Sequence, residues 1–293
     1  MTRKALILHN PTQIAAYGLE DGAVKIRTEE VILMNGKKFV LLLLGIISFV
    51  VIGVANYAQA LELGVRGYYW FPAFSATQRV DTASMKGTEF DVKNALGVGT
   101  QAFPSGEIYG GIGKHHLSAM YTPIKYSSDT TLTAAINYGG TNFAANTAVN
   151  YNLDFYMMDV KYIYDIINME NILAGFSVGP MLQVKYVSGS AEMKSPAIAG
   201  QDVKQSFSAP IPMVGLGAHI GLIANILEAR AQFTGMGYSG NYVIEAMADI
   251  SVTPFPFVDI HGGYKYISLQ LDTSDYYMST QFSGPFVALT VGF

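Results

Sequence analysis

His116-Leu117-Ser118 is the one stretch of this sequence whose residue types and spacing suggest catalysis. On an extended chain, residues two apart project to the same face. A histidine there can take the proton of a neighbouring hydroxyl and turn it into a nucleophile. His116 would be the base and Ser118 the nucleophile, with Glu107 or Asp154 as the carboxylates available to orient the imidazole. A larger set of ionisable residues falls on the mixed, polar face of the apparent strands: Glu62, Arg66, Asp154, Lys185, Glu228, Arg230, Glu245, Asp249, Asp259, His261 and Lys265. If that face lines an interior, these groups must pair or hold water, because unpaired buried charge is expensive. They would then form a packing network or line a selective conduit. Metal chemistry finds no support. The chain has no Cys, His115 and His116 would point to opposite faces, and His219 and His261 lie on strands that are not neighbours. No cofactor motif is present: GGIGKHH, residues 110–116, lacks the spacing and the Ser or Thr after Lys that a phosphate loop needs.

The elements that would carry these residues are strands. Of the 293 residues, 50% are hydrophobic and only 14% are charged, against about 25% charged in a usual soluble protein. Residues 61–293 carry 12 Lys plus Arg and 18 Asp plus Glu, and no basic tract points to nucleic acid. After residue 60 no apolar run approaches the roughly 18 residues of a membrane helix, so any crossing of a bilayer there must use strands. Period-2 alternation recurs from Leu61 to the end. It predicts ten strands: 61–71, 108–126, 131–140, 147–165, 172–188, 206–222, 226–238, 242–252, 257–271 and 282–293. The second and third are joined by a turn at Ser127-Ser128-Asp129; were that pair a long excursion, eight strands would remain. In 147–165 the alternation slips at Met157-Met158, for which a bulge is one physical reason. Loops fall at 72–107, with a helical turn near 91–96, and at 189–205 and 272–280. Long strands, one apolar face studded with Tyr and Phe, and an opposite mixed face predict an all-β fold. The expected form is a single transmembrane antiparallel up-and-down β-barrel. A soluble barrel with its faces reversed is the alternative. With Tyr, Met and Phe placed inside, ten strands leave no wide pore.

The first sixty residues read differently. Lys37-Lys38, the apolar run 39–54 and Ala58-Gln59-Ala60 are the parts of a secretory signal cut after Ala60. An uncleaved membrane-anchoring helix is the other reading of that run. Residues 1–33 carry mixed charges and would make an unusually long leader, so translation is expected to begin at Met34. The chain thus divides into an upstream extension 1–33, a signal peptide 34–60 and a barrel 61–293.

The last strand, Phe286-Val287-Ala288-Leu289-Thr290-Val291-Gly292-Phe293, resembles the terminal strand of Gram-negative outer-membrane barrels, which end in an aromatic residue after alternating apolar ones. The pattern of 61–293 as a whole resembles small barrels of that superfamily. The resemblance implies residence in the bacterial outer membrane, with its lipid and lipopolysaccharide as surroundings. It also implies handling by periplasmic chaperones and by the barrel-assembly machinery, for which Phe293 would be the signal. It further implies a periplasmic C-terminus, with periplasmic turns at Asn168–Asn171, Ile223–Asn225 and Thr253–Pro256 and with the three longer loops outside. His116 and Ser118 are spaced like the pair of the lipid A deacylase family, which hydrolyses an acyl ester of lipopolysaccharide. The residues around them depart from that family: His115 and Met120 stand where it has Phe and Asn. The expected role is structural or surface-interacting, without an assigned enzymatic activity. The alternatives are a narrow porin-like channel or lateral uptake route for small or apolar solutes, and a lipid A hydrolase using His116 and Ser118. N-terminal sequencing of the membrane-inserted protein should begin at Leu61, and the precursor mass should exclude residues 1–33; a precursor that includes them would remove Met34 as the start.

Overall fold

The computed structural model describes residues 61–169, 175–198, 200, 202–223, 226–272 and 276–292. The expected signal peptide with its expected cut after Ala60, the expected assembly signal Phe293, and Glu170 to Ala174 lie outside the described residues. In chain order the elements are β1 Leu61–Trp70, β2 Ala73–Val80, β3 Phe90–Asp91, α1 Val92–Leu96, β4 Phe103–Ile112, β5 His115–Thr131, β6 Ile136–Tyr138, β7 Thr141–Phe143 and β8 Ala148–Tyr164. They continue with β9 Ile167–Met169, β10 Phe176–Lys194, β11 Asp202–Ile223, β12 Leu227–Tyr238, β13 Asn241–Phe255, β14 Val258–Asp272 and β15 Tyr276–Gly292. Ten of these strands pair antiparallel with their neighbours in the order β1-β4-β5-β8-β10-β11-β12-β13-β14-β15. The ring closes between β1 and β15, with Val65 opposite Val291. Beyond Pro72, β2 takes over from β1 along the upper part of β15, from Ala73 opposite Ser283 to Val80 opposite Tyr276.

One end of the barrel has short connections, such as Gly113-Lys114 between β4 and β5 and Pro256-Phe257 between β13 and β14. The other end has the strands that extend furthest and the longest connections, 81–102 and 132–147, although β12 and β13 are joined there by only Ser239-Gly240. Towards the short-turn end the outer face is apolar. Leu63, Val65, Ile108, Leu182, Val214, Leu216, Phe233, Ile250, Leu289 and Val291 are all exposed there. Outer-face apolar stretches such as 156–164, 178–186 and 242–252 run nine to eleven residues, the length a tilted strand needs to cross the hydrocarbon. Tyr121, Tyr156 and Tyr186 form a row of ring contacts at 5.6 and 6.1 Å along the upper edge of this belt. Phe255 and Phe257 are exposed at the lower edge. A water-soluble barrel would hide this surface; a transmembrane barrel needs it.

Above the belt the pattern inverts. The outer face of β8 carries Asn150, Asn152 and Asp154, while Val149, Tyr151 and Phe155 are buried inside. The inner side chains join one aromatic core, in which Phe74 stacks on Tyr126 at 4.6 Å and Phe103 meets Tyr126 edge-on at 5.3 Å. The segment around α1 and the β6–β7 hairpin bury Val92, Leu96, Ile136, Tyr138 and Phe143 in the same core and so cap the long-strand end. Asp91 caps α1 by accepting from the Asn94 amide at 2.7 Å, and the Ser128 hydroxyl donates to the Leu96 carbonyl.

Several expectations from the sequence are corrected by the structure. Residues 108–126 are not one strand, because β4 and β5 turn at Gly113-Lys114. Ser127, Ser128 and Asp129 continue β5 instead of turning, and 131–140 is no barrel strand but runs into the capping hairpin. Strand replaces much of the predicted loops, since β10 runs to Lys194, β11 begins at Asp202 and β15 begins at Tyr276. No bulge exists at Met157-Met158: β8 pairs with β5 in unbroken register from Tyr164 opposite His115 to Ala148 opposite Thr131. The apparent slip is the edge of the belt, where the chemistry of both faces changes while the register does not. Asp154, expected inside, therefore lies on the outer face, exposed and 2.8 Å from Lys125.

Tyr138 is fully buried in the cap, and its hydroxyl accepts a hydrogen bond from Gln78 Nε2 at 2.7 Å. Burial pushes its phenol above the ordinary value. The unfolded cap therefore releases this proton first, so this phenol's contribution to stability is constant below about pH 10 and is lost as pH rises above it. Proteolysis of 132–147 should accelerate above that pH while the barrel keeps its heat-modifiable mobility, and Tyr138→Phe should make the acceleration smaller, with the onset still set by the buried phenols of Tyr126 and Tyr151. An acceleration of unchanged size in the variant would contradict this.

Candidate functional site

Beneath the aromatic core, inside the belt, the lumen is filled by a layer of paired charge. Its positions follow from strand parity. On every stave the residues opposite the lipid face point inward, and lipid would not take them. Six consecutive staves contribute to one hydrogen-bonded chain. Arg230 on β12 donates to both oxygens of Asp249 on β13 at 3.1 Å. His261 on β14 contacts Asp249 Oδ1 through Nδ1 at 2.9 Å and Thr290 Oγ1 on β15 through Nε2 at 2.8 Å. Arg66 on β1 donates from Nε to Thr290 Oγ1 at 2.6 Å and from Nη1 to Glu107 Oε2 on β4 at 2.7 Å. Tyr68 donates to the same Glu107 oxygen at 2.6 Å. Donors and acceptors balance along this chain when His261 carries its proton on Nδ1 and Thr290 donates to Nε2.

A second cluster completes the layer. Lys185 reaches Asp159 and lies 2.7 Å from Glu245 Oε2. Lys161 and Lys265 approach Glu245 Oε1 at 3.3 and 3.8 Å. Gln183 donates to Asp159 at 2.7 Å and accepts from Thr234 at 2.6 Å. The Lys265 ammonium also lies 5.4 Å from the centre of the Trp70 ring. Lys185 and Asp159 are 1% and 0% exposed, and Trp70, Met120, Glu245, Met247 and Phe286 beside them are buried as well. A path wide enough for water would leave surface on at least some of these side chains; at this depth the lumen is filled.

Below the layer a cavity of about 470 Å³ opens at the short-turn end. Glu62, Glu228 and Asp259 line it together with His116, Asp165 and His219. His219 contacts Glu228 at 3.1 Å. His116 lies between two carboxylates, with Nε2 3.1 Å from Asp165 Oδ2 and Nδ1 3.4 Å from Glu62 Oε2. The second contact depends on Gly111, which stands between Glu62 and His116 across β1, β4 and β5. A Cβ there would come within 2.8 Å of the Glu62 carboxylate and 2.9 Å of His116 Nδ1. In the same way Tyr109 crosses Gly64, where a Cβ would meet its hydroxyl at 2.3 Å, and Arg66 stacks on its ring at 4.8 Å.

Of the residues expected inside, Arg66, Lys185, Arg230, Glu245, Asp249, His261 and Lys265 meet in the charged layer. Glu62, Glu228 and Asp259 lie at the mouth, and Asp154 is outside. That expected set omits Asp159, Lys161, Glu107 and Asp165, although the alternation in 147–165, with or without a slip, sets the first two opposite Val160, Tyr162 and Tyr164. His116 and Ser118 both face the cavity, but each imidazole nitrogen already faces a carboxylate. Neither Glu107 nor Asp154 orients His116: Glu107 holds Arg66 and Asp154 is across the wall. Among the described residues no cluster of three or more His, Asp or Glu is gathered to hold a metal.

Glu245 serves three lysines, so truncating it strands buried cations, a loss of about 3–5 kcal/mol. Glu245→Ala should lower the urea midpoint of the refolded barrel by a matching amount. Lys265→Met, which removes the longest of the three contacts, should cost far less. Equal effects of the two would refute the pairing described.

No family model matches the chain, and no curated protein sequence matches it. Solved structures similar to it are outer-membrane β-barrels at low identity. The outer membrane protease OmpT from Escherichia coli aligns at 12% identity over 78% of this chain and 97% of that chain, with a TM-score of 0.48. The translocator domain of autotransporter NalP from Neisseria meningitidis aligns at 9% identity over 86% and 95%, with a TM-score of 0.40. The toluene transporter TodX from P. putida aligns at 6% identity over 80% and 90%, with a TM-score of 0.30.

Proposed function

We propose that this chain is a non-conducting barrel of the bacterial outer membrane that holds its long-strand end and cap at the cell surface, in a structural or surface-interacting role. The observation that carries the reading is the filled lumen. Charge layer and aromatic core stand in series between the open mouth and the cap, while β5, β8, β10 and β11 rise above the belt with polar outer faces. A transport protein would spend that volume on a passage. A surface-presenting protein gains a rigid stalk from it, with Lys125, Asp154, Glu192 and Lys194 set among the sugars and phosphates of lipopolysaccharide. The leader-like run 37–60 and the alternating last strand are the sequence features that support export, chaperone escort and insertion by the barrel-assembly machinery. They also support an orientation with the short turns and the C-terminal end in the periplasm. The hydrolase reading gains nothing from the geometry, since His116 is held away from base duty and the pair sits at the opposite end from the cap.

Purified protein in planar bilayers should give no reproducible conductance, and protease added to intact cells should cut within 81–102, 132–147 or 195–201. A steady single-channel current would sink the filled-lumen reading, and cleavage at Pro256-Phe257 would reverse the orientation.

A further inference from the structure

The two consecutive glycines of β4 thin the barrel wall on both faces at the same height. On the lipid face, Gly110 stands between Leu63 and Leu117 in one cross-strand row, so the belt lacks a side chain there. The result is an apolar groove of about 430 Å³ walled by Leu61, Leu63, Ile108, Ile112, Leu117 and Val160. On the lumen face, Gly111 lets the Glu62 carboxylate lie against His116. Glu62 and His116 border both the outer groove and the mouth cavity. The wall ends immediately below, at Leu61 opposite Ile112, and the turn that follows is only Gly113-Lys114. The Lys114 side chain is exposed, and its carbonyl is fixed by the Asp165 amide at 2.9 Å. His115 faces the lipid side beside this rim, with Nδ1 2.7 Å from the Tyr162 hydroxyl and its ring 5.0 Å from that of Tyr164, a polar and aromatic group at headgroup depth.

We infer that this rim is a binding site for a membrane phospholipid with a zwitterionic, primary-amine head group: an acyl chain lies in the Gly110 groove, the phosphate meets Lys114 and the ammonium meets Glu62. The groove is continuous with the lipid-facing belt, so an acyl chain is the occupant the surroundings supply. Charge selects the head. Glu62 is 50% exposed and can still accept from an ammonium; with Asp165 on the far side of His116, the three groups keep one net negative charge even when the imidazole carries both protons. Lys114 is the cation of the turn. An anionic phosphoglycerol head satisfies only Lys114. A trimethylammonium head reaches the carboxylate but donates no hydrogen bond to it. The inference goes beyond surface presentation and requires only that the belt lies in a bilayer, so it stands or falls separately from the conductance and proteolysis results.

The test is native mass spectrometry of the barrel taken from nanodiscs of equal phosphatidylethanolamine, phosphatidylglycerol and phosphatidylcholine. The first should be retained about two- to five-fold over the other two, the range an exposed ion pair supplies. Glu62→Gln should abolish the preference over phosphatidylglycerol while total retention persists. Lys114→Gln should weaken both. Gly110→Val, checked for folding by heat-modifiable mobility, should reduce retention of all three by filling the groove. Equal retention of the three lipids by the parent protein overturns the site, as does a preference that survives Glu62→Gln.

Discussion

Lipid offers no hydrogen bonds, and the rest of this structure follows from that. A chain that crosses the hydrocarbon in strands must pair every backbone group with another strand, so the first stave has to meet the last. Here the closure falls on β1 and β15, through Gly64 to Trp70 against Gly292 to Phe286. Closure then forces a division of side chains. Each residue points to lipid or to the lumen, and ionisable groups accept only the second. Once inward they are crowded by Tyr, Met and Phe and lose most of their water. Charges brought together in such a space must neutralise one another, which is why Arg66, Glu107, Arg230, Asp249 and His261 form a chain and not a scatter of contacts.

The same rule explains why the barrel changes character along its length. Where lipid ends, the outer face meets water, and the demand on each face reverses. β8 passes through both regimes in one unbroken register. Near Tyr164 it shows Tyr162 and Val160 to lipid and Lys161 and Asp159 to the lumen. Near Ala148 it shows Asn150, Asn152 and Asp154 to water and buries Val149, Tyr151 and Phe155. The upper half is therefore built like a water-soluble β-protein around an aromatic core, and the lower half is its inverse. α1 and the β6–β7 hairpin belong to the upper regime, where irregular backbone can still find water or protein partners.

That inversion also set the limit on what the sequence made legible. Alternation located the strands that lie within the belt, because there one face is consistently apolar: β12, β13 and β14 carry Leu227, Ile250 and Ile260 outward and Glu228, Asp249 and His261 inward, as the period-2 reading has it. It misread the extensions above the belt, where a polar outer face resembles a loop. The total of ten staves emerged with two of its members misdrawn, since the Gly113-Lys114 turn lacks the longer polar punctuation of its neighbours. Asp154 was placed by polarity when parity should have decided. The charged layer was legible as a list of residues but not as pairs. Which carboxylate holds which cation depends on registers such as Arg66 opposite Glu107 and on contacts across the lumen that no local pattern records.

Seen energetically, the layer and the core together fix the register. A lumen of well-packed apolar residues would often be at least as stable as one of buried ion pairs, but in lipid it would not distinguish the two faces of a strand. A one-residue slip exchanges those faces. For β8 such a slip would put Asp159 and Lys161 into hydrocarbon and, in the same motion, turn Tyr151 and Phe155 out to water. Both halves of the strand oppose the error, by opposite chemistry. A strand that was polar inside along its whole length would lose the second penalty, and one that was apolar throughout would lose the first. The charges at mid-barrel and the aromatic core above them therefore specify a single alignment jointly, and the filled lumen is the consequence of meeting both demands in one continuous stave.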